Sequence, residues 1–244
     1  MRSLRDAVGC LTVMPCRAQA HEGALGAALA WFPLVGLAIG AALVAVHRLA
    51  DYWLPTTASA ACTLLAWVAV TGGLHLDGVA DVCDGLAGGS TPQARVRIMR
   101  DPHVGAMAVI GVCGVLVAKF ALLASVPSTR IAPTLLLSPC LGRYAMVMLA
   151  ATSRPATPGN GLAASWMRSV PPHVLPLCST VTITAGWFLA GPRGLIAWAA
   201  SIVCVLVLRD VCRRRFGGIT GDALGAVGEL VEVVVLLVMV ASRA

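Results

Sequence analysis

An all-α, polytopic integral membrane protein is the fold class this sequence predicts, on three observations. Of 244 residues, 58% are hydrophobic and only 12% are charged, where a soluble domain carries about a quarter. The mean hydropathy is +0.86, and the shortage of charge runs along the whole chain instead of stopping at one anchor. The apolar runs are continuous at roughly 20 residues, the length of a helical span, and lack the short alternation of a barrel. A single membrane-embedded domain over residues 1–244 is therefore expected.

The first 22 residues read as an amphipathic lead-in on the membrane surface, with Arg2, Arg5 and Arg17 at headgroup level. The apolar stretch Val8–Met14 is short and lacks a small-residue cleavage site, so no signal peptide is expected. Seven spans follow: residues 23–46, 54–74, 104–125, 131–152, 174–192, a shorter one at 194–208, and 223–240. Between the second and third, residues 77–101 are too polar to cross lipid. They read as a helix, a Gly88-Gly89-Ser90-Thr91-Pro92 turn and a basic helix with Arg95, Arg97 and Arg100. Residues 153–173, rich in Pro, Gly and Ser, read as a connection. The cysteines are scattered with no C-x-x-C pair, as small packing residues would be. The tryptophans near span ends suit interfacial anchoring.

The basic residues set the orientation. All are arginine except Lys119, which can snorkel or face the bundle. With the N-terminus inside, twelve arginines fall in inner segments and four in outer ones, a bias that favours a cytoplasmic N-terminus. Arginines that punctuate apolar runs explain the net charge of +7 as topology, and no nucleic-acid partner is expected.

Under that topology seven of the eleven acidic residues lie on the cytoplasmic side, in three short segments. Asp77, Asp81 and Asp84 stand at i, i+4 and i+7, on one helical face. Three like charges there, beside lipid, are unfavourable unless cations hold them, which makes the stretch a candidate metal site. Asp101 follows the basic helix. Asp222 stands at the entrance to the last span and Glu229 and Glu232 lie within it, about 10–15 Å along. Ionisable groups at such depth usually face a bundle interior or a polar cavity. Gly221, Gly225 and Gly228 would let helices approach closely. Arg143, in the fourth span, is a counter-charge or a phosphate ligand, and His75 and His103 flank the acidic segments. A cavity open to the cytoplasm, lined by carboxylates and ringed by arginines, suits a divalent cation bound to a phosphorylated substrate. Competing readings stand beside this one: a solvated helix face for the three aspartates, a structural ion pair for Glu229 and Glu232, and a helix cap for Asp222.

The stretch Gly72-Gly73-Leu74-His75-Leu76-Asp77-Gly78-Val79-Ala80-Asp81-Val82-Cys83-Asp84-Gly85, with Arg97-Ile98-Met99-Arg100-Asp101 and Gly105, resembles the cobalamin synthase (adenosylcobinamide-GDP ribazoletransferase) family. So do Phe32-Pro33-Leu34-Val35-Gly36, Leu141-Gly142-Arg143 and Gly217-Gly218-Ile219-Thr220-Gly221-Asp222-Ala223-Leu224-Gly225-Ala226 with Glu229 and Glu232. The resemblance covers nearly the whole chain, in order.

It implies an inner-membrane enzyme that joins adenosylcobinamide-GDP to α-ribazole or its 5′-phosphate, releases GMP and requires Mg²⁺. Carried onto this chain, it implies Asp77, Asp81 and Asp84 as metal ligands, with Asp101 or Asp222 completing the sites. Glu229 or Glu232 would take the hydroxyl proton. Arg100 and Arg143 would neutralise phosphate, with His75 beside the substrate. Membrane lipid is the other expected partner, and a homo-oligomer is left open. The chain departs from the family after Asp101, with Pro102-His103 in place of Ser-Arg, so no phosphate contact is assigned there. The Arg154–Leu162 connection loosely resembles the family's Arg/Gly-containing loop, which would imply a substrate lid.

Other aspartate-rich membrane enzymes fit less well. CDP-alcohol phosphotransferases expect an Ala-Arg soon after the Asp-Gly and two later aspartates. Prenyltransferases expect two aspartate-rich loops. A transporter would favour inverted repeats, and none is read.

Overall fold

The structure, a computed structural model, describes residues 2–14, 25–157 and 162–241. Its helices are α1 (Arg2–Leu11), α2 (Leu25–Ala28), α3 (Phe32–Trp53), α4 (Thr56–Thr71), α5 (Leu74–Ala87), α6 (Pro92–Ile98), α7 (Ala106–Ser125), α8 (Ile131–Thr152), α9 (Leu162–Ser169), α10 (Val174–Ala190), α11 (Pro192–Phe216) and α12 (Gly221–Val240). Among the described residues the β pairing amounts to one isolated parallel bridge, Pro155 to Ile219. The chain is an all-α membrane protein.

Each of the seven expected apolar segments holds a helix, with lengths that differ from the expected ones. Five helical segments are long and apolar enough to cross a membrane, or six if the bent pair α4–α5 is one span. The shorter member of the α10–α11 pair is α10, with 17 residues, whereas α11 runs to 25. The expected break after Leu208 does not occur. Arg209, Asp210 and Arg213 continue the helix, because Asp210 accepts from Arg213 at 2.9 Å and pairs with Arg214 at 2.7 Å along one face. Likewise α3 continues past Val46 to Trp53. Its buried His47 is satisfied inside the bundle, with Nδ1 2.9 Å from Thr63 Oγ1 of α4. The connection 153–173 contains α9, whose Trp166 packs edge-on against Phe32 at 5.7 Å. Arg17 and residues 158–161 of the expected lid lie outside the described residues.

The centre of the bundle is α8, 83% buried over its apolar window, with α12 at 67%, while α7 and α11 are only 22% buried and present apolar faces outward. Helices approach this centre through glycine. A Cβ on Gly36 of α3 would fall 2.5 Å from the Pro139 carbonyl oxygen of α8. Close backbone approach of this kind is how membrane helices gain packing without a hydrophobic driving force.

The turn between α4 and α5 positions the site. Gly72 and Gly73 both adopt left-handed backbone, with φ of 64° and 68°, a conformation costly for other residues. Their amides bond back to Ala69 and Val68 carbonyls, which closes α4. The chain leaves at 88° to α4. α5 therefore turns away from the α4 axis, and its aspartate face meets the first turn of α12 and the start of α7.

Candidate active site

α5 carries Asp77, Asp81 and Asp84 on one face, as their spacing predicts. Asp77 is exposed and the other two are half-buried. The first turn of α12 supplies a fourth carboxylate, Asp222, with Thr220 capping the helix through a 3.2 Å bond from the Ala223 amide. Gly78 is what lets these elements meet: a Cβ there would lie 2.5 Å from the Asp222 carbonyl oxygen. Four carboxylates therefore crowd one end of the bundle. Burial, then the charges of Asp222, Asp77 and Asp84, push the Asp81 carboxyl up to about 6. Arg100 and Asp77 are the charged groups that act on Asp222 from outside its helix.

Asp84 has a further task. Its Oδ2 accepts from the Gly105 amide at 2.7 Å and its Oδ1 from the Ala108 amide at 2.8 Å. It thus satisfies orphan N–H groups at the start of α7 and places negative charge at that helix's N-terminus. Asp101 does not join the cluster. It is exposed, and the backbone N–H of His103 at 3.0 Å, then its ring Nδ1 at 2.6 Å, hold its carboxyl below the usual range. Arg100 lies past the end of α6 and donates to Thr157 Oγ1 at 3.2 Å. Arg95 donates to the Gly85 and Leu86 carbonyls, 3.0 and 2.5 Å away, at the end of α5.

Glu229 and Glu232 sit deeper, in a closed ionic cluster. Lys119 of α7 pairs with Glu229 at 2.5 Å and also with Glu232, and Arg143 of α8 pairs with Glu232. All four are buried, with Glu232 fully so. Lys119 also lies over the Trp67 ring, 4.5 Å from its centroid, so Trp67 is a bundle residue and not an interfacial one. Arg143 Nη2 is 3.4 Å from Nδ1 of the buried His75, whose Nε2 has no partner. The bundle interior thus takes up Arg143, His75 and both glutamates, apart from the four aspartates. Of the two alternatives for Lys119, snorkelling or facing the bundle, the structure has the second, and its pairing with the glutamates is what the sequence left unassigned. Its position in a span with no other charge was the available signal.

A cleft of about 590 Å³ opens beside α5 between Gly73, Leu76, Asp77 and the α7 residues Ala108 and Val112. Asp77 is the one charge on its wall. Among the described residues no three His, Cys, Asp or Glu side chains form a cage for a metal. The all-carboxylate donor set suits Mg²⁺ in another way, since that ion takes one or two carboxylates and keeps water and substrate phosphate oxygens as its other ligands. Asp81 crowded by three like charges is a position where a cation would relieve repulsion.

A family model described as cobalamin-5-phosphate synthase matches residues 3–240. The chain belongs to the cobalamin-5-phosphate synthase family. Similar relatives named adenosylcobinamide-GDP ribazoletransferase include those of Stutzerimonas stutzeri, 39% identical over 97% of each chain, and Pseudomonas aeruginosa, 37% identical over 98% of each. That of Geotalea daltonii is 33% identical over 93% of this chain and 92% of the relative. No solved structure matches. The family match spans α1, the aspartates of α5, the ionic cluster and α12 together.

Proposed function

We propose that this chain is an adenosylcobinamide-GDP ribazoletransferase of the inner membrane, with its N-terminus and its aspartate end in the cytoplasm. It joins adenosylcobinamide-GDP to α-ribazole or α-ribazole 5′-phosphate. A ribose hydroxyl oxygen forms a bond to the phosphorus that carries cobinamide, the bond from that phosphorus to the bridging oxygen breaks, and GMP leaves. The observation that carries this reading is the meeting of three aspartates on α5 with Asp222 on α12, in a chain of this family.

The roles divide by environment. Asp77 and Asp81, with one open to solvent and one crowded by like charge, would hold Mg²⁺. When bound, that ion neutralises phosphate oxygens as charge builds on them. Asp222, half-buried and facing Asp77, takes the hydroxyl proton. Arg100 offsets the negative charge of the diphosphate from the facing side. Asp84 holds the start of α7 against α5. Glu229, Glu232, Arg143 and His75 hold the α7–α8–α12 frame behind the aspartates, since their charges are already paired.

The test is direct. Membranes that contain the protein are incubated with adenosylcobinamide-GDP, α-ribazole and Mg²⁺. A joined corrinoid and GMP should appear in equal amounts, stop with chelator and resume with added Mg²⁺. GMP release without the joined corrinoid would overturn the reading.

A further inference from the structure

A second polar cavity, of about 420 Å³, opens at the same end of the bundle on the other side of the Gly217–Thr220 loop. It is lined by Ser153 and Arg154 at the end of α8, by Arg209 and Arg213 of α11, and by Gly217, Gly218 and Ile219. Three arginines around one cavity, in a chain with so few charges, need an explanation. Arg213 is partly neutralised by Asp210 at 2.9 Å, and Asp210 is shared with Arg214. Arg154 and Arg209 have no acidic partner among the described residues. The Ser153 hydroxyl, on the same wall, is buried with no hydrogen-bond partner.

The backbone is built for this cavity. Ile219 N–H donates to the Arg154 carbonyl at 2.9 Å, and Ala156 N–H donates to the Ile219 carbonyl at 2.9 Å. That bridge requires glycine beside it, because a Cβ on Gly218 would fall 2.6 Å from the Ala156 nitrogen. Gly217 ends α11 in left-handed backbone at φ 76°. The loop that forms one wall of the cavity then runs straight into Asp222: only Thr220 and Gly221 separate Ile219 from it, at most about 11 Å of chain. Thr157, bonded to Arg100, ends the same strap that Arg154 begins.

From this we infer a phosphomonoester-binding pocket made by Arg154, Arg209 and the Ser153 hydroxyl, which holds the 5′-phosphate of the ribazole acceptor while its ribose reaches Asp222. The inference rests on the function proposed above and adds to it a choice of acceptor. Guanidinium forks match the oxygens of a dianionic phosphate, and an unpartnered hydroxyl completes its coordination. The family is that of a cobalamin-5-phosphate synthase, whose product keeps such a group. An anionic lipid headgroup offers the same phosphate chemistry, since basic pockets between spans also take lipid phosphates, and the experiment separates the two sources.

The full-length protein is purified and assayed in bilayers of neutral lipid, with α-ribazole and α-ribazole 5′-phosphate as competing acceptors. In Arg209→Ala and Arg154→Ala the ratio of kcat/KM for the phosphorylated over the free acceptor should fall about tenfold or more, the scale of one lost charge-assisted hydrogen bond. Arg209→Lys should recover part of it. Arg154 is exposed, so its replacement reads the pocket even if Arg209→Ala does not fold. In a parallel melt, inorganic phosphate should raise the thermal midpoint of the wild type and not of either alanine variant. An equal loss with both acceptors, an unchanged ratio, or a change in ratio seen only when anionic lipid is added would overturn the pocket as an acceptor site. If the wild type joins neither acceptor, the reaction falls, and the phosphate melt alone then decides whether the pocket binds phosphate.

Discussion

Gly105 lies so close to Asp84 that its amide donates to Oδ2 at 2.7 Å, and a Cβ in its place would fall 2.6 Å from Oδ1. The aspartate face of α5 and the start of α7 are therefore one unit. Gly105→Ala should displace the Asp84 carboxylate and loosen α7, so both activity and thermal midpoint fall. Asp84→Ala removes a charged cap and should cost about 1–2 kcal/mol, together with turnover, while membrane insertion is kept. Denaturation in detergent beside the joining assay checks both effects. Full turnover in Asp84→Ala would remove this residue from the site.

Asp81 and Asp77 should separate from Asp84 by their metal response. Asp81→Ala and Asp77→Ala are expected to lower activity about 10–100-fold or more, upward from the scale of losing a group that orients a reactive metal, with a thermal midpoint near that of the wild type. A partly active Asp77→Asn should need more Mg²⁺ for half-maximal rate. A Mg²⁺ titration of the rate makes the comparison, and an unchanged titration would place the ion elsewhere.

Gly78→Val tests the contact between α5 and α12. The added side chain meets the Asp222 backbone, which cannot move cheaply, so the helices separate and Asp222 is withdrawn from Asp81. Overpacking of this kind costs about 1–3 kcal/mol, and activity should fall by more than that stability loss explains. Equal activity at a temperature where the variant is folded would show that the close approach does not matter to the reaction.

The buried ionic cluster makes the sharpest stability prediction. Lys119→Met leaves Glu229 and Glu232 with one cation between them, and removal of one partner from a buried pair costs about 3–5 kcal/mol. Restoring balance with Lys119→Met and Glu229→Gln together should recover much of that loss, read as non-additivity in a double-mutant cycle. If Glu232 instead served as the proton acceptor, Glu232→Gln would lower turnover far more than its loss of stability explains.

Much of the architecture was legible along the chain because it is local. Continuous apolar runs marked the segments that became α3, α4, α7, α8, α10, α11 and α12, and the i, i+4, i+7 spacing put three aspartates on one face of α5. The lengths of α10 and α11 were misjudged because charge at positions 209–215 looks like an end, whereas Asp210 pairs with Arg213 and Arg214 and lets the helix continue. α9 went unseen because its helicity depends on Trp166 finding Phe32, far away in sequence.

The sequence by itself determined the membrane class, the aspartate face and the family to which both belong, since periodicity and motif order need no knowledge of what lies opposite. The tertiary structure decided which carboxylate does what. Asp84 became a cap for α7, Asp222 joined α5 across Gly78, and Glu229 and Glu232 were claimed by Lys119 and Arg143, more than eighty residues away. Those pairings depend on how each helix is rotated and where glycines let two backbones touch, and that is a property of the packed bundle.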